Sequence, residues 1–174
     1  TVTWKALEGN FSAVDKYQVT LSGPNVANPA QEVTGTSITF KFDDNAITDG
    51  ASYTATVKAH NKVNWSQPST ASNAVSPWGT PDNPTISADQ SGDKIVVRGR
   101  INDARNSKYQ SITVSIEGED KSVETSAKDY SVEFDIKNEW YYRKLKPTIT
   151  VVTERSGSLS SETSVSPFTA VDPP

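Results

Sequence analysis

Tyr17-Gln-Val-Thr-Leu-Ser-Gly23 recurs 95 residues later as Ile112-Thr-Val-Ser-Ile-Glu-Gly118. Every second side chain is apolar in the second copy and large or apolar in the first, and both runs stop at a glycine. A period of two places those side chains on one face of a half-buried strand, whereas a helix needs a period of 3.6. The same alternation runs through Val2, Trp4 and Ala6, through Ile38, Phe40 and Phe42, and through Tyr53, Ala55, Val57 and Ala59. Gly23-Pro24, Asp49-Gly50, Gly79-Thr80-Pro81 and Ser91-Gly92 supply turn residues between the runs. No stretch keeps a helical period. Short strands at regular spacing predict an all-β chain built as antiparallel sandwiches or barrels.

The repeat extends beyond the first match. Ile38, Phe40 and Phe42 lie over Val132, Phe134 and Ile136 at an offset of 94, and Val57 and Ala59 over Val151 and Thr153 at the same offset. Ala74-Val-Ser-Pro-Trp78 returns as Ser164-Val-Ser-Pro-Phe168 at an offset of 90, so the loop before the last strand is shorter, as loops tolerate. The reading is two tandem sandwiches: residues 1–78, a Pro-bearing linker at 79–83, a second domain at 84–170, and the start of a further linker at 171–174. The second copy has a leading strand, Pro84–Ala88, before its Ile95–Val97 strand. The first begins inside the corresponding strand at Thr1–Trp4 and so lacks that leading strand. Val171-Asp-Pro-Pro174 echoes Thr80-Pro-Asp-Asn-Pro84, so the chain reads as a piece of a longer array.

Composition removes many functions. A chain of 174 residues can bury a core without staples, and the absence of cysteine excludes disulfides, thiolate metal sites and cysteine nucleophiles. One histidine, His60, leaves no multi-histidine metal cage. Seventeen Lys and Arg against 21 Asp and Glu give a net charge of −4, which argues against nucleic acid as a partner. No apolar run approaches the roughly 18 residues of a membrane span, and no signal peptide stands at residue 1.

At Trp4, Tyr17 and Ile47-Thr-Asp-Gly-Ala-Ser-Tyr53-Thr-Ala-Thr-Val-Lys-Ala-His-Asn61 the first domain resembles the fibronectin type III family. The resemblance implies a Trp on strand B, a Tyr on strand C, and a tyrosine corner in which the Tyr53 hydroxyl bonds backbone just upstream. The second domain has Gly99 at the Trp position and Pro147 at the corner position, which leaves a generic immunoglobulin-like sandwich open for it. The Val-Ser-Pro-Trp-Gly-Thr-Pro linker is similar to those in long extracellular proteins of Gram-positive bacteria, actinobacteria especially. That resemblance implies a secreted or wall-attached protein.

Sites of chemistry are few. His60 has the parity opposite to Tyr53, Ala55, Val57 and Ala59 and should face solvent. No carboxylate pair, phosphate loop, nucleophile elbow or zinc helix is present, so an enzyme is not expected and no cofactor is implied. Asp43, Asp44, Asn45 and Asp49 are oxygen-rich but fit no calcium-loop spacing, and are read as turn residues rather than a metal site. Arg98-Gly99-Arg100 lacks the acid of an integrin motif. Asn10-Phe-Ser12 and Asn64-Trp-Ser66 are glycosylation sequons only in a eukaryotic secretory host.

The candidate binding residues are aromatic: Trp65, in a Trp-Ser-Gln-Pro-Ser run reminiscent of cytokine-receptor sandwiches, and Trp140, Tyr141 and Tyr142. Structure is the favoured reading for each. Trp65 would pack over its loop or on a strand side chain such as Lys58.

The expected role is a structural spacer or stalk of a large secreted or cell-surface bacterial protein, contributing to adhesion, with neighbouring domains of the same chain as partners. The alternatives are a module binding polysaccharide or an extracellular host protein, and accessory domains of a secreted glycoside hydrolase. Three structural expectations go with this. Trp140 or Tyr141 should fill the core over Gly99; Trp78 should be largely buried between the domains; and Thr1–Leu7 should have one unpaired edge, open to pairing with a second molecule.

Overall fold

The computed structural model describes residues 1–8 and 12–169. The chain divides into two compact units, Thr1–Trp78 and Gly79–Pro174.

In the first unit β1 (Val2–Thr3), β2 (Lys16–Ser22), β3 (Ala30–Val33) and β4 (Ser37–Ile38) precede a single helical turn, α1 (Phe42–Asn45), and β5 (Thr54–His60). β1 pairs antiparallel with β4, and β3-β2-β5 form a second antiparallel sheet. The alternation works as read: Tyr17, Val19 and Leu21 of β2 are buried while the residues between them are half-buried. Val19, Leu21, Ile47, Tyr53 and Ala55 form the core, with Trp4, Ile38, Phe40 and Val57 packed against it. The Trp4 and Tyr17 rings meet edge to face at 5.4 Å. The Thr48 N–H donates to the Tyr53 hydroxyl at 2.9 Å across five residues, which makes the tyrosine corner. Tyr53 also explains Gly23, because a Cβ there would lie 2.2 Å from the Tyr53 ring. The strand expected through Phe42 stops at Ile38; Lys41, still extended, stands as the N-cap of α1 and its N–H donates to Asn45 Oδ1 at 2.8 Å. Among the described residues no strand pairs with the other edge of β1.

The second unit contains β6 (Ser87–Ser91), β7 (Lys94–Arg100), β8 (Tyr109–Ile116), β9 (Glu119–Val123), β10 (Asp129–Asp135), a 3₁₀ turn at Asn138–Trp140, β11 (Thr148–Thr153) and β12 (Gly157–Glu162). Two antiparallel sheets result, β10-β7-β6 and β12-β11-β8-β9. Their inward residues, among them Val97, Ile112, Val114, Phe134, Trp140, Leu145 and Val151, form one core.

Cross-strand partners correct the sequence alignment. Ala59 pairs with Tyr17, and Val151 pairs with Ile112, so Val151 is the counterpart of Ala59 rather than of Val57. The corner position of the second unit accordingly holds Leu145, which bridges Val165 as Tyr53 bridges Val75. The alignment at Pro147 was two residues out. A slip of two leaves every side chain on its own face, so alternation could not reveal it.

The space at Gly99 is filled differently from the expectation. A Cβ on Gly99 would stand 2.0 Å from the Thr85 carbonyl oxygen and 2.9 Å from the Tyr130 hydroxyl. The backbone ahead of β6 therefore lies directly on the glycine, and the Tyr130 hydroxyl donates to the Thr85 carbonyl at 2.7 Å. Tyr130 stands opposite Gly99 on β10, where the first unit has Thr36 opposite Trp4. The aromatic ring has crossed to the neighbouring strand. Trp140 does enter the core, but neither it nor Tyr141 is what meets Gly99.

Burial pushes the pKa of the Tyr130 hydroxyl from its ordinary value near 10 up to about 12. The fold favours the neutral phenol, so its stabilisation is intact below about pH 10 and is lost as pH rises from about 10 to about 12, where the unfolded chain ionises first. The loss should approach about 2–3 kcal/mol, read as a falling urea midpoint of the second unit. Tyr130→Phe should flatten that slope; an unchanged slope would remove the assignment.

Trp78 is 48% exposed rather than largely buried. The Gly50 N–H donates to the Pro77 carbonyl, and the Gly79 N–H donates to the Arg105 carbonyl, both at 2.9 Å. Residues 79–83, expected as a linker, are held along the second unit: Asn102 Nδ2 donates to the Asn83 carbonyl at 2.8 Å, and Arg105 donates to the Thr80 carbonyl at 3.3 Å.

Candidate functional site

Trp65 follows the turn after β5 and bridges back to His60. Its ring lies 4.7 Å from the imidazole of His60 and 5.3 Å beneath the ammonium of Lys16, and not on Lys58. Lys16 in turn pairs with Glu32 at 2.9 Å, and His60 Nδ1 meets Asp15 at 2.7 Å. The parity of His60 places it on the outer face as read, but the Trp65 ring and Asp15 half cover it. Trp65 is therefore held among charged neighbours on the outer face of β2 and β5. Asn64 Oδ1 accepts the Trp65 N–H at 2.8 Å, so the side chain of the second sequon is engaged in its own turn. The first sequon falls on residues 10–12, of which 10 and 11 lie outside the described residues.

Beyond Trp65 the chain runs along β5 without forming a strand. The N–H groups of Ser66, Ser69 and Ser72 donate to the carbonyls of Ala59, Val57 and Ala55 at 2.7, 2.9 and 2.9 Å. The hydroxyl oxygens of the same serines accept the N–H groups of Ala59, Val57 and Ala55 at 2.9, 3.0 and 2.9 Å. Each hydroxyl also donates to the carbonyl of the next residue, at 2.9, 2.9 and 3.0 Å. Three residues of this segment thus span two of β5, a rise of roughly 2.2 Å per residue. Serine can do this because one hydroxyl both accepts and donates, and Pro68, which has no N–H, falls between the paired positions. The sequence signal was present as Ser66, Ser69 and Ser72 at a spacing of three, and a search for period two passes over it. Ser69→Ala should leave the Val57 N–H without its acceptor and cost about 1 kcal/mol, with the triple serine-to-alanine change near 3 kcal/mol. Urea titration with amide exchange at Ala55, Val57 and Ala59 measures it, and unchanged protection would show the hydroxyls to be dispensable.

The aromatic run at 140–142 is divided. Trp140 is 2% exposed and belongs to the core, Tyr141 is half-buried, and Tyr142 is 68% exposed. Asn45, of the oxygen-rich cluster, is 2% exposed with its carboxamide spent on backbone: Oδ1 accepts from Lys41 and Nδ2 donates to the Ala27 carbonyl at 3.1 Å. Among the described residues no group of three His, Asp or Glu stands together as a metal site, and no helix is long and apolar enough to cross a membrane.

The order of strands in the second unit decides the fold class. A three-stranded sheet, β10-β7-β6, and a four-stranded sheet, β12-β11-β8-β9, make an E-B-A and G-F-C-C′ arrangement. The fold is of the fibronectin type III kind. No protein-family model and no curated protein matches the chain. Among solved structures, chicken interferon gamma receptor alpha chain is similar at 12% identity and a TM-score of 0.45, over 96% of this chain and 91% of that one. The FN1–FN3 domains of chicken CNTN1 are similar at 12% identity and a TM-score of 0.46, over 98% of this chain and 62% of that one. A DUF3823 family protein from Bacteroides ovatus is similar at 12% identity and a TM-score of 0.43, over 95% and 97%. The first unit follows the same plan, with β1 and β4 as B and E, β2, β3 and β5 as C, C′ and F, and the serine-bonded segment along β5 in place of G.

Proposed function

We propose that the chain is a non-catalytic spacer: two self-contained sandwiches in series, forming a stalk segment of a large secreted or cell-surface bacterial protein. The joint carries this reading. The Pro77 carbonyl is hydrogen-bonded within the first unit and the Gly79 N–H within the second, so the stretch between these two anchors is short. A short joint that includes Pro77, whose φ is fixed, has few torsions to vary. Spacing needs such a joint, because reach is lost when a linker coils. A cysteine-free chain suits an exposed location, since it has no thiol to oxidise. Small-angle scattering tests the reading directly. An elongated pair with a narrow spread of dimensions is expected, and a compact, folded-over pair would contradict it. Inserting four glycines after Trp78 should broaden the distribution without lowering the stability of either unit.

A further inference from the structure

One end of the second unit carries a groove of about 480 Å³ lined by Gln90, Gly92, Asp93, Tyr141, Phe168 and Thr169. The turn between β6 and β7, the segment after the 3₁₀ turn and the chain leaving β12 converge there. The Gln90 carboxamide fixes one wall: Nε2 donates to the Phe168 carbonyl at 2.8 Å and to the Gly92 carbonyl at 2.9 Å, while Oε1 accepts the Phe168 N–H at 2.9 Å. The Phe168 ring nonetheless stays 60% exposed. Beside it, the Tyr142 hydroxyl bonds Thr169 Oγ1 at 2.5 Å.

Tyr142 has φ +59, a conformation that suits glycine. The first unit uses glycine at the same place: the Gly50 N–H, at φ +82, donates to the Pro77 carbonyl as the Tyr142 N–H donates to the Pro167 carbonyl at 2.8 Å. The second unit therefore keeps an aromatic in a strained backbone although the ring is 68% exposed and buries little in return. Its hydroxyl, bonded to Thr169 Oγ1, instead holds one wall of the groove in place. The Asp93 carboxylate makes no hydrogen bond or ion pair among the described residues.

We infer that this groove binds a neutral polysaccharide, with the C–H face of a pyranose against Phe168 and Tyr141 and the Asp93 carboxylate accepting its hydroxyls. Aromatic rings and a lone acceptor match a sugar, which is apolar on its ring face and rich in donors at its edge. No cationic side chain lines the groove, and Asp93 with a net charge of −4 disfavours acidic polymers. The volume lies in the range of ligand clefts. This goes beyond the spacer reading and does not depend on it.

Affinity electrophoresis through gels containing soluble β-glucan, xylan, mannan or polygalacturonate tests the assignment on the full chain. At least one neutral polymer should retard the protein. Phe168→Ala and Tyr141→Ala should each weaken retardation at least tenfold, Asp93→Asn about threefold, and Trp65→Ala not at all. Tyr142→Gly should weaken retardation while leaving Tm equal or higher, which separates binding from folding. No retardation by any neutral polymer, retardation by polygalacturonate alone, binding that survives both ring deletions, or occupation of the groove by a proline-rich peptide in preference to sugar would each overturn it.

Discussion

Trp140→Ala should unfold most of the second unit under mild denaturation while the first unit keeps its transition. Trp140 is 2% exposed at the end of the 3₁₀ turn, packed into the core with Leu145, Phe134 and Val151. Removing a buried Trp leaves a cavity and costs about 3–5 kcal/mol, against a total stability of roughly 5–15 kcal/mol for a domain. Amide signals of Ile112 and Val151 should report a large fall in midpoint, and those of Val19 and Tyr53 none. A loss below about 1 kcal/mol would mean that the core closes over the gap. A matching fall in the first unit would mean that the two are not self-contained.

The second large effect is expected at Gly99. Gly99→Trp imports the first unit's residue into a space already occupied by the Thr85 carbonyl and the Tyr130 hydroxyl. Overpacking of about 1–3 kcal/mol, with loss of the Tyr130–Thr85 bond at about 1 kcal/mol, should make it strongly destabilising. Adding Tyr130→Thr recreates the Trp4 and Thr36 arrangement and vacates the ring's place, so the double variant should recover part of the loss. The coupling energy is the quantity to measure. Strict additivity would refute the claim that the aromatic crossed from one strand to its neighbour.

These residues also show what the sequence could and could not say. Alternation at Tyr17–Leu21 and Ile112–Ile116 needs only a face toward the core, and it indicated strand type and facing correctly. It could not detect the two-residue slip in β11, because parity is unchanged. It assigned the space at Gly99 to the aromatic run at 140–142, when the partner was Tyr130, one strand away and visible only once register is known. Trp78 was expected to be largely buried between the domains because it offers apolar area at the boundary, whereas it is 48% exposed. The serines at 66, 69 and 72 have a period of their own that a strand search ignores. The groove at Phe168 brings together turns distant in sequence, so of its ring residues only Tyr141 stood among the binding candidates read from the sequence.

The proposed spacer consists of two self-contained units that would bear load in series. Pulling single chains from both ends tests this most directly. Two discrete events are expected, with contour lengths near 28 and 35 nm for 78 and 96 residues at about 3.6 Å each, less the folded spans. One merged event, or a gradual extension without steps, would contradict it.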